Sequence, residues 1–201
     1  MDKKEQTIDT YDKSAQMLAD KFDSLGSRLD DIKETFSLVN KTNPFVLEIG
    51  CGNGRDAKEI VELTNNYIGL DISEKLIELA RRKVPKGTFA VADIENYNLP
   101  HGLDIIFAFA SLIHVPKESL RKIIADSLLA LNNNGVLRLS MKYADSYKEI
   151  TKEDEFGIRT YYLYSEKNMQ ELAAGFVIVK NKLNDLRGQA WLEIILQKLS
   201  I

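Results

Sequence analysis

The stretch Val46-Leu47-Glu48-Ile49-Gly50-Cys51-Gly52-Asn53-Gly54-Arg55 decides the fold: a short apolar run enters three alternate glycines just ahead of an amphipathic segment. Glycine lets a backbone turn tightly and approach a ligand, and the first turn of a helix offers free N–H groups. Alone, such a loop fits dinucleotide sites and many plain strand-to-helix turns. In a dinucleotide fingerprint, however, a third small residue lets helix and strand pack closely, and counting from Gly50 that place holds Arg55. No Gly-Lys-Ser/Thr follows either, which disfavours a phosphate loop.

Outward from this loop, short apolar runs alternate with amphipathic ones, the sequence form of βαβ units around a parallel sheet. The pattern predicts strands over 45–49, 66–70, 88–92, 103–109 and 135–141, with helices over 54–63, 73–84 and 116–131. The last of these stops at Asn132-Asn133-Asn134-Gly135, a turn sequence. Tyr67-Ile68-Gly69-Leu70-Asp71 places a carboxylate 17 residues after Gly54, at the end of the second strand. A carboxylate there is suited to accept from both ribose hydroxyls of an adenosine ligand. The third strand ends at Asp93-Ile94, where Asp93 would accept from an adenine amine while Ile94 or Ile72 packs on the ring.

Ahead of the sheet, Tyr11, Ala15, Leu18, Phe22, Leu25, Leu29, Ile32, Phe36 and Val39 recur by threes and fours, predicting two helices broken near Gly26. Behind it, 142–164 reads as a less regular stretch carrying Tyr143, Tyr147, Phe156, Tyr161, Tyr162 and Tyr164. A helix over 165–174 and two strands, 176–183 and 190–198, joined by Asp185-Leu186-Arg187-Gly188, close the chain. With no repeat or linker, residues 1–201 read as one domain. It comprises an N-terminal helical segment (1–42), an alternating core (43–141), an aromatic-rich insertion (142–164) and a C-terminal helix and hairpin (165–201).

The chain's 201 residues, 44% apolar and 28% charged, suit one folded domain. A net charge of -3 gives no long-range attraction to polyphosphate, so nucleic acid is disfavoured as a partner. The opening MDKKEQTIDTYDKSAQ lacks an apolar signal core, and the longest greasy runs, 103–115 and 176–179, fall short of the roughly 18 residues of a membrane span. The expected location is the cytoplasm. Cys51, the single cysteine, excludes an intrachain disulfide and Cys-rich zinc sites. A metal would need oxygen ligands or His101 and His114, and none is expected.

Taken together, the E-x-G-x-G-x-G loop at Glu48–Gly54, Asp71 and Asp93-Ile94 resemble the first three motifs of the class I S-adenosylmethionine-dependent methyltransferases. Leu103–Phe107 with Ser111–Val115 resembles the fourth, and Asn134–Leu137 resembles the turn into the fifth strand. Asp185, Arg187, Gly188 and Trp191 are similar to a turn and last strand found in small bacterial enzymes of that class. The resemblance implies a Rossmann-like, doubly wound α/β sheet of seven strands, mostly parallel with an antiparallel last strand and helices on both faces. It implies S-adenosyl-L-methionine as cofactor, with Glu48, Gly50, Cys51, Gly52, Asn53, Gly54 and Arg55 around the methionine end. Asp71 falls at the ribose, Asp93 at the adenine with Ile94 or Ile72 on its ring, and Phe109 and Ala110 on the methyl side.

The candidate substrate pocket is Tyr11, His114, Arg159, Tyr161 and Arg187, with His114 the candidate catalytic base; capping or a carbonyl contact is its structural alternative. Cys51, between glycines, reads as a space-filling residue, not a nucleophile. The implied reaction is methyl transfer to a small-molecule acceptor. Alternatives are an RNA or protein methyltransferase, or a non-catalytic cofactor-binding protein of the same fold.

Overall fold

In the computed structural model, residues 1–186 and 188–200 are described. Three helices lead, α1 (Lys3–Lys13), α2 (Ala15–Ser24) and α3 (Leu29–Ser37). The alternating region follows as β1 (Val46–Ile49), α4 (Ala57–Ile60), β2 (Tyr67–Asp71), α5 (Glu74–Lys83), β3 (Thr88–Val91), β4 (Leu103–Phe109), α6 (Lys117–Ala130) and β5 (Leu131–Lys142). Then come β6 (Lys148–Asp154), β7 (Gly157–Leu163), α7 (Glu166–Leu172), β8 (Phe176–Leu186) and β9 (Gln189–Lys198). As expected, seven strands form one sheet; their order is β3-β2-β1-β4-β5-β9-β8. The pairs from β3 to β5 are parallel, and β9 runs antiparallel to both β5 and β8.

Side chains alternate across the sheet, so two cores form. On one face Leu47, Ile49, Ile106, Leu137 and Leu139 pack with α6 and α7 through Leu120, Ile124 and Met169. On the other, Val46, Tyr67, Ile105 and Phe107 pack with Ile32 of α3, Ile60 of α4 and Ile77 of α5. The strand order reverses direction between β1 and β4, and in open α/β sheets the crevice at such a point is where ligands sit.

Three expectations need correction. The leader is three helices, not two: α1 starts early because Asp2 and Glu5 form a reciprocal capping box, and the chain breaks again at Ser14. Ser14 Oγ donates to Phe156 O at 2.6 Å, a contact invisible in the local pattern. The stretch 142–164 is not irregular but contains the β6–β7 hairpin, a separate two-stranded sheet turning at Gly157, whose φ is +128°. Its outer strand, β6, is nearly all polar and exposed, which hid the alternation. The helix expected over 54–63 shrinks to α4, because Gly54 holds φ +78° and Asp56 is spent on Arg28 instead of capping. At the end of α6, Asn132–Gly135 bulges out of the β4–β5 ladder, with Asn134 at φ +63°.

Candidate active site

At the carboxyl ends of β1, β2, β3 and β4 lies one continuous cavity of about 830 Å³. Small-molecule pockets run from roughly 300 to 1,000 Å³, so this one has room for a cofactor and a second small molecule. Its floor is the glycine loop. Gly50 N and Cys51 N both donate to Leu70 O, at 2.7 and 2.9 Å, which pins the loop to β2. Gly50 (φ +71°) abuts Ser111: a Cβ added there would lie 2.2 Å from Ser111 Cβ. Ser111 Oγ is buried beside it without a partner among the described residues. Ala110, a non-glycine residue at φ 53°, is held there by its N–H donating to Ser140 Oγ at 2.8 Å.

Asp71, the last residue of β2, accepts from Gly52 N at 2.8 Å and Ser73 N at 2.9 Å. Burial raises its carboxyl above the ordinary range, and those two N–H groups work against the rise. Glu48 is buried on β1 and accepts from Tyr67 Oη at 2.6 Å. Burial first, then the negative charge of Asp56, pushes its carboxyl up to about 8. Arg28 and Arg55 both donate to Asp56, and Arg28 lies 5.0 Å over the Phe109 ring. Burial raises the Cys51 thiol well above its usual value, in keeping with a filling role.

The opposite wall is the helical leader joined to the β6–β7 hairpin. Lys4 of α1 pairs with Asp93 at 2.6 Å and Glu95 at 2.8 Å. Thr10 Oγ1 donates to Ile158 O at 2.7 Å, and Ser73 Oγ donates to Asp12 at 2.6 Å. Tyr11 and His114 meet at 2.9 Å between Oη and Nε2, while His114 Nδ1 lies 2.6 Å from Thr160 O. A carbonyl only accepts, so Nδ1 carries the proton, Nε2 is bare and Tyr11 donates to it. Burial drives the imidazole down to about 4, consistent with that neutral form.

Of the sequence-predicted residues, Glu48, Gly50, Cys51, Gly52, Asn53, Arg55, Asp71, Ile72, Asp93, Ile94, Phe109, Ala110, Tyr11, His114, Arg159 and Tyr161 all border the cavity. Gly54 does not: it packs against Ala80 and Val84 of the α5 segment, so its role is helix packing. Asn53 spends its amide on Ala19 O and Asp23, tying the loop to α2. Arg187 lies outside the described residues. His101 is exposed, as expected of a loop residue. Of the six aromatics in 142–164, Tyr147, Tyr162 and Tyr164 stack with one another, and Tyr164 Oη donates to Val115 O at 2.8 Å. They are packing, not pocket.

Sequence reasoning missed Arg28, Lys142 and Glu193 as cavity residues. Lys142 carried only a partial signal: it is the cation that ends β5, but Arg138 lies in the same strand and the sequence does not say which of them turns to the site. Glu193 had none: it reaches the site only through the β5–β9 pairing, opposite Ser140. Burial, then the charge of Asp31, raises its carboxyl to about 7.

Residues 46–135 match the family described as "Methyltransferase domain". That segment spans β1 through the start of β5, with the glycine loop, Asp71 and Asp93 inside it. Around this segment the chain is 30% identical over 132 residues to trans-aconitate 2-methyltransferase of Enterobacter sp. (strain 638), covering 58% of this chain and 52% of that protein. It is 36% identical over 107 residues to malonyl-[acyl-carrier protein] O-methyltransferase 1 of Ilyobacter polytropus, covering 51% and 37%. The alignments thus span about half or less of those relatives' length.

Among solved structures, an S-adenosylmethionine-dependent methyltransferase from Clostridium acetobutylicum superposes with TM-score 0.71 at 14% identity, covering 86% of this chain and 91% of that one. Magnesium protoporphyrin IX methyltransferase from Synechocystis PCC 6803, solved with bound SAM, gives 0.65 at 17%, covering 94% and 80%. These likenesses establish the fold. Among the described residues no helix is long and apolar enough to cross a membrane.

Proposed function

We propose that the chain is an S-adenosylmethionine-dependent methyltransferase acting on a small-molecule acceptor. The observation that carries this reading is the convergence of Glu48, the Gly50–Gly52 turn, Asp71 and Asp93 on one cavity from successive ends of β1, β2 and β3. The residues fit the cofactor: the backbone at Gly52 faces open space, with nothing within 4 Å of where a Cβ would stand, and Asp71 presents a carboxylate at the strand end. Asp71 would accept from the ribose hydroxyls, and Asp93 with Ile94 would meet the adenine. Arg28 and Glu48 offer opposite charges to the amino-acid end. When bound, the cofactor supplies an activated methyl group on a positively charged sulfonium.

What the chain's residues then contribute is alignment and exclusion of water. Phe109, Ala110 and Ser111 border the cavity between its two halves, while α1 and the hairpin roof it. His114 is a poor base in this geometry, since its bare Nε2 is already occupied by Tyr11. The relatives named above act on trans-aconitate and on malonyl-[acyl-carrier protein], which accords with a small acceptor or one presented on a carrier.

The test is calorimetry and thermal shift with S-adenosylhomocysteine, followed by transfer of tritium-labelled methyl from the cofactor to fractions of a metabolite extract. Binding raises the melting temperature by mass action. No binding would overturn the cofactor assignment. Binding without transfer to any fraction would leave a cofactor-binding protein in place of an enzyme.

A further inference from the structure

The acceptor half of the cavity is walled by aromatic rings and holds two cations. Lys142 closes β5 and sets its ammonium 3.8 Å from the centre of the Tyr161 ring and 5.9 Å from that of Trp191. No carboxylate among the described residues lies within ion-pair distance of it. Arg159 on β7 is only 7% exposed, and its guanidinium lies 5.6 Å from the same Tyr161 ring and 5.6 Å from Tyr11. One of its Nη groups pairs with Asp154, but its Nε is buried with no acceptor among the described residues.

A buried N–H without an acceptor and an ammonium that meets only ring faces are both costly, and a ligand that satisfies them recovers that cost. Asp154 balances one of the two positive charges, leaving a net cation facing the cavity. Flat aromatic walls add area suited to a planar or apolar skeleton.

We infer that the acceptor substrate is a small carboxylic acid with a planar or aromatic skeleton, its carboxylate held by Lys142 and Arg159 beneath the Tyr161 ring. This rests on the methyltransferase reading and deepens it. The electrostatics agree. Burial first, then the positive charges of Lys152 and Arg159, lowers the Lys142 ammonium to about 8, while Asp154 opposes them. His114 and Tyr161 also adjoin this cluster. An arriving carboxylate would offset the cationic repulsion.

The experiment uses the full chain saturated with S-adenosylhomocysteine and titrates benzoate, 4-hydroxybenzoate and cinnamate against their uncharged amides by calorimetry at pH 7. At least one acid is expected to bind ten-fold or more tighter than its amide. Lys142→Met should weaken that acid about 10- to 100-fold while leaving S-adenosylhomocysteine affinity unchanged, and Lys142→Arg should restore most of it. Arg159→Gln should weaken it independently, with folding checked by circular dichroism.

Failure of S-adenosylhomocysteine to bind would remove the underlying reading. If it binds but every acid binds no better than its amide, or none binds at 10 mM, the carboxylate assignment is overturned and the reading survives. Unchanged acid affinity in Lys142→Met with a collapsed turnover would likewise overturn it, making the amine a base instead of an anchor.

Discussion

The two halves of the cavity are held by different means. The half at the sheet edge is fixed by backbone: Gly50, Cys51 and Gly52 donate their N–H groups to Leu70 and Asp71, and strand register sets every position. The half formed by α1 and the β6–β7 hairpin is fixed by side chains reaching across more than a hundred residues, such as Thr10 to Ile158, Ser14 to Phe156 and Tyr11 to His114. Register is cooperative and hard to perturb, whereas each side-chain bond contributes on the order of 1 kcal/mol. The first half therefore suits an invariant ligand. The second can be altered piece by piece.

The sharpest way to break this contrast is at Gly50. Gly50→Ala drives a Cβ into Ser111 and sets a side chain at φ +71°, so cofactor affinity should fall at least about 100-fold in the folded protein. Gly52→Ala, with φ +55° and open space around it, should cost only about 1 kcal/mol. Calorimetry with S-adenosylhomocysteine on both variants decides it; equal losses would mean that backbone conformation, not the close approach to Ser111, governs the floor.

Next in size is Asp71→Asn. The amide keeps an acceptor for Gly52 or Ser73 but loses charge-assisted bonds to the ribose, so affinity should drop by about 2 to 3 kcal/mol. A folded variant of undiminished affinity would move the ribose off the end of β2.

A smaller effect comes from Glu48. Its carboxyl, raised to about 8, is mostly protonated at pH 7, whereas the ammonium of the bound cofactor would favour the charged form. Affinity should therefore rise with pH up to about 8, by at most tenfold per unit, with a proton released on binding below that. In the free protein the sign is opposite. A raised acid stabilises the fold fully below its ordinary value, and that contribution fades as pH climbs toward 8. Calorimetry in two buffers of different ionisation heat at pH 7 measures the released proton, and Glu48→Gln should abolish the release.

The same contrast explains what could be read from the sequence. Strands β1 to β5, the glycine turn, Asp71 and Asp93 were legible because period, spacing and glycine chemistry are local. The break at Ser14, the β6–β7 hairpin and the inward turn of Lys142 and Glu193 were not. Each depends on a partner distant in sequence: Phe156 for Ser14, α1 for the hairpin, β9 for the far wall. Gly54 was drawn toward the ligand by its place in the motif, while α5 claims its packing surface; Asn53 borders the cavity with its amide tied to α2.

The smallest expected effect tests the side-chain half directly. Tyr11→Phe removes the donor to His114 Nε2 and leaves the edge-on ring contact intact, so it should cost about 1 kcal/mol of local stability. Because α1 and β7 meet along this contact, amide exchange should quicken in 3–13 and 157–163 and stay unchanged in 46–54. Methyl transfer should fall less than tenfold, since Tyr11 and His114 position the roof and take no proton from the acceptor. A loss of 100-fold or more, on the scale of a general base, would return His114 to the chemistry. Equal slowing or quickening in both halves would show that the roof and floor open as one unit, and the contrast between them would fall.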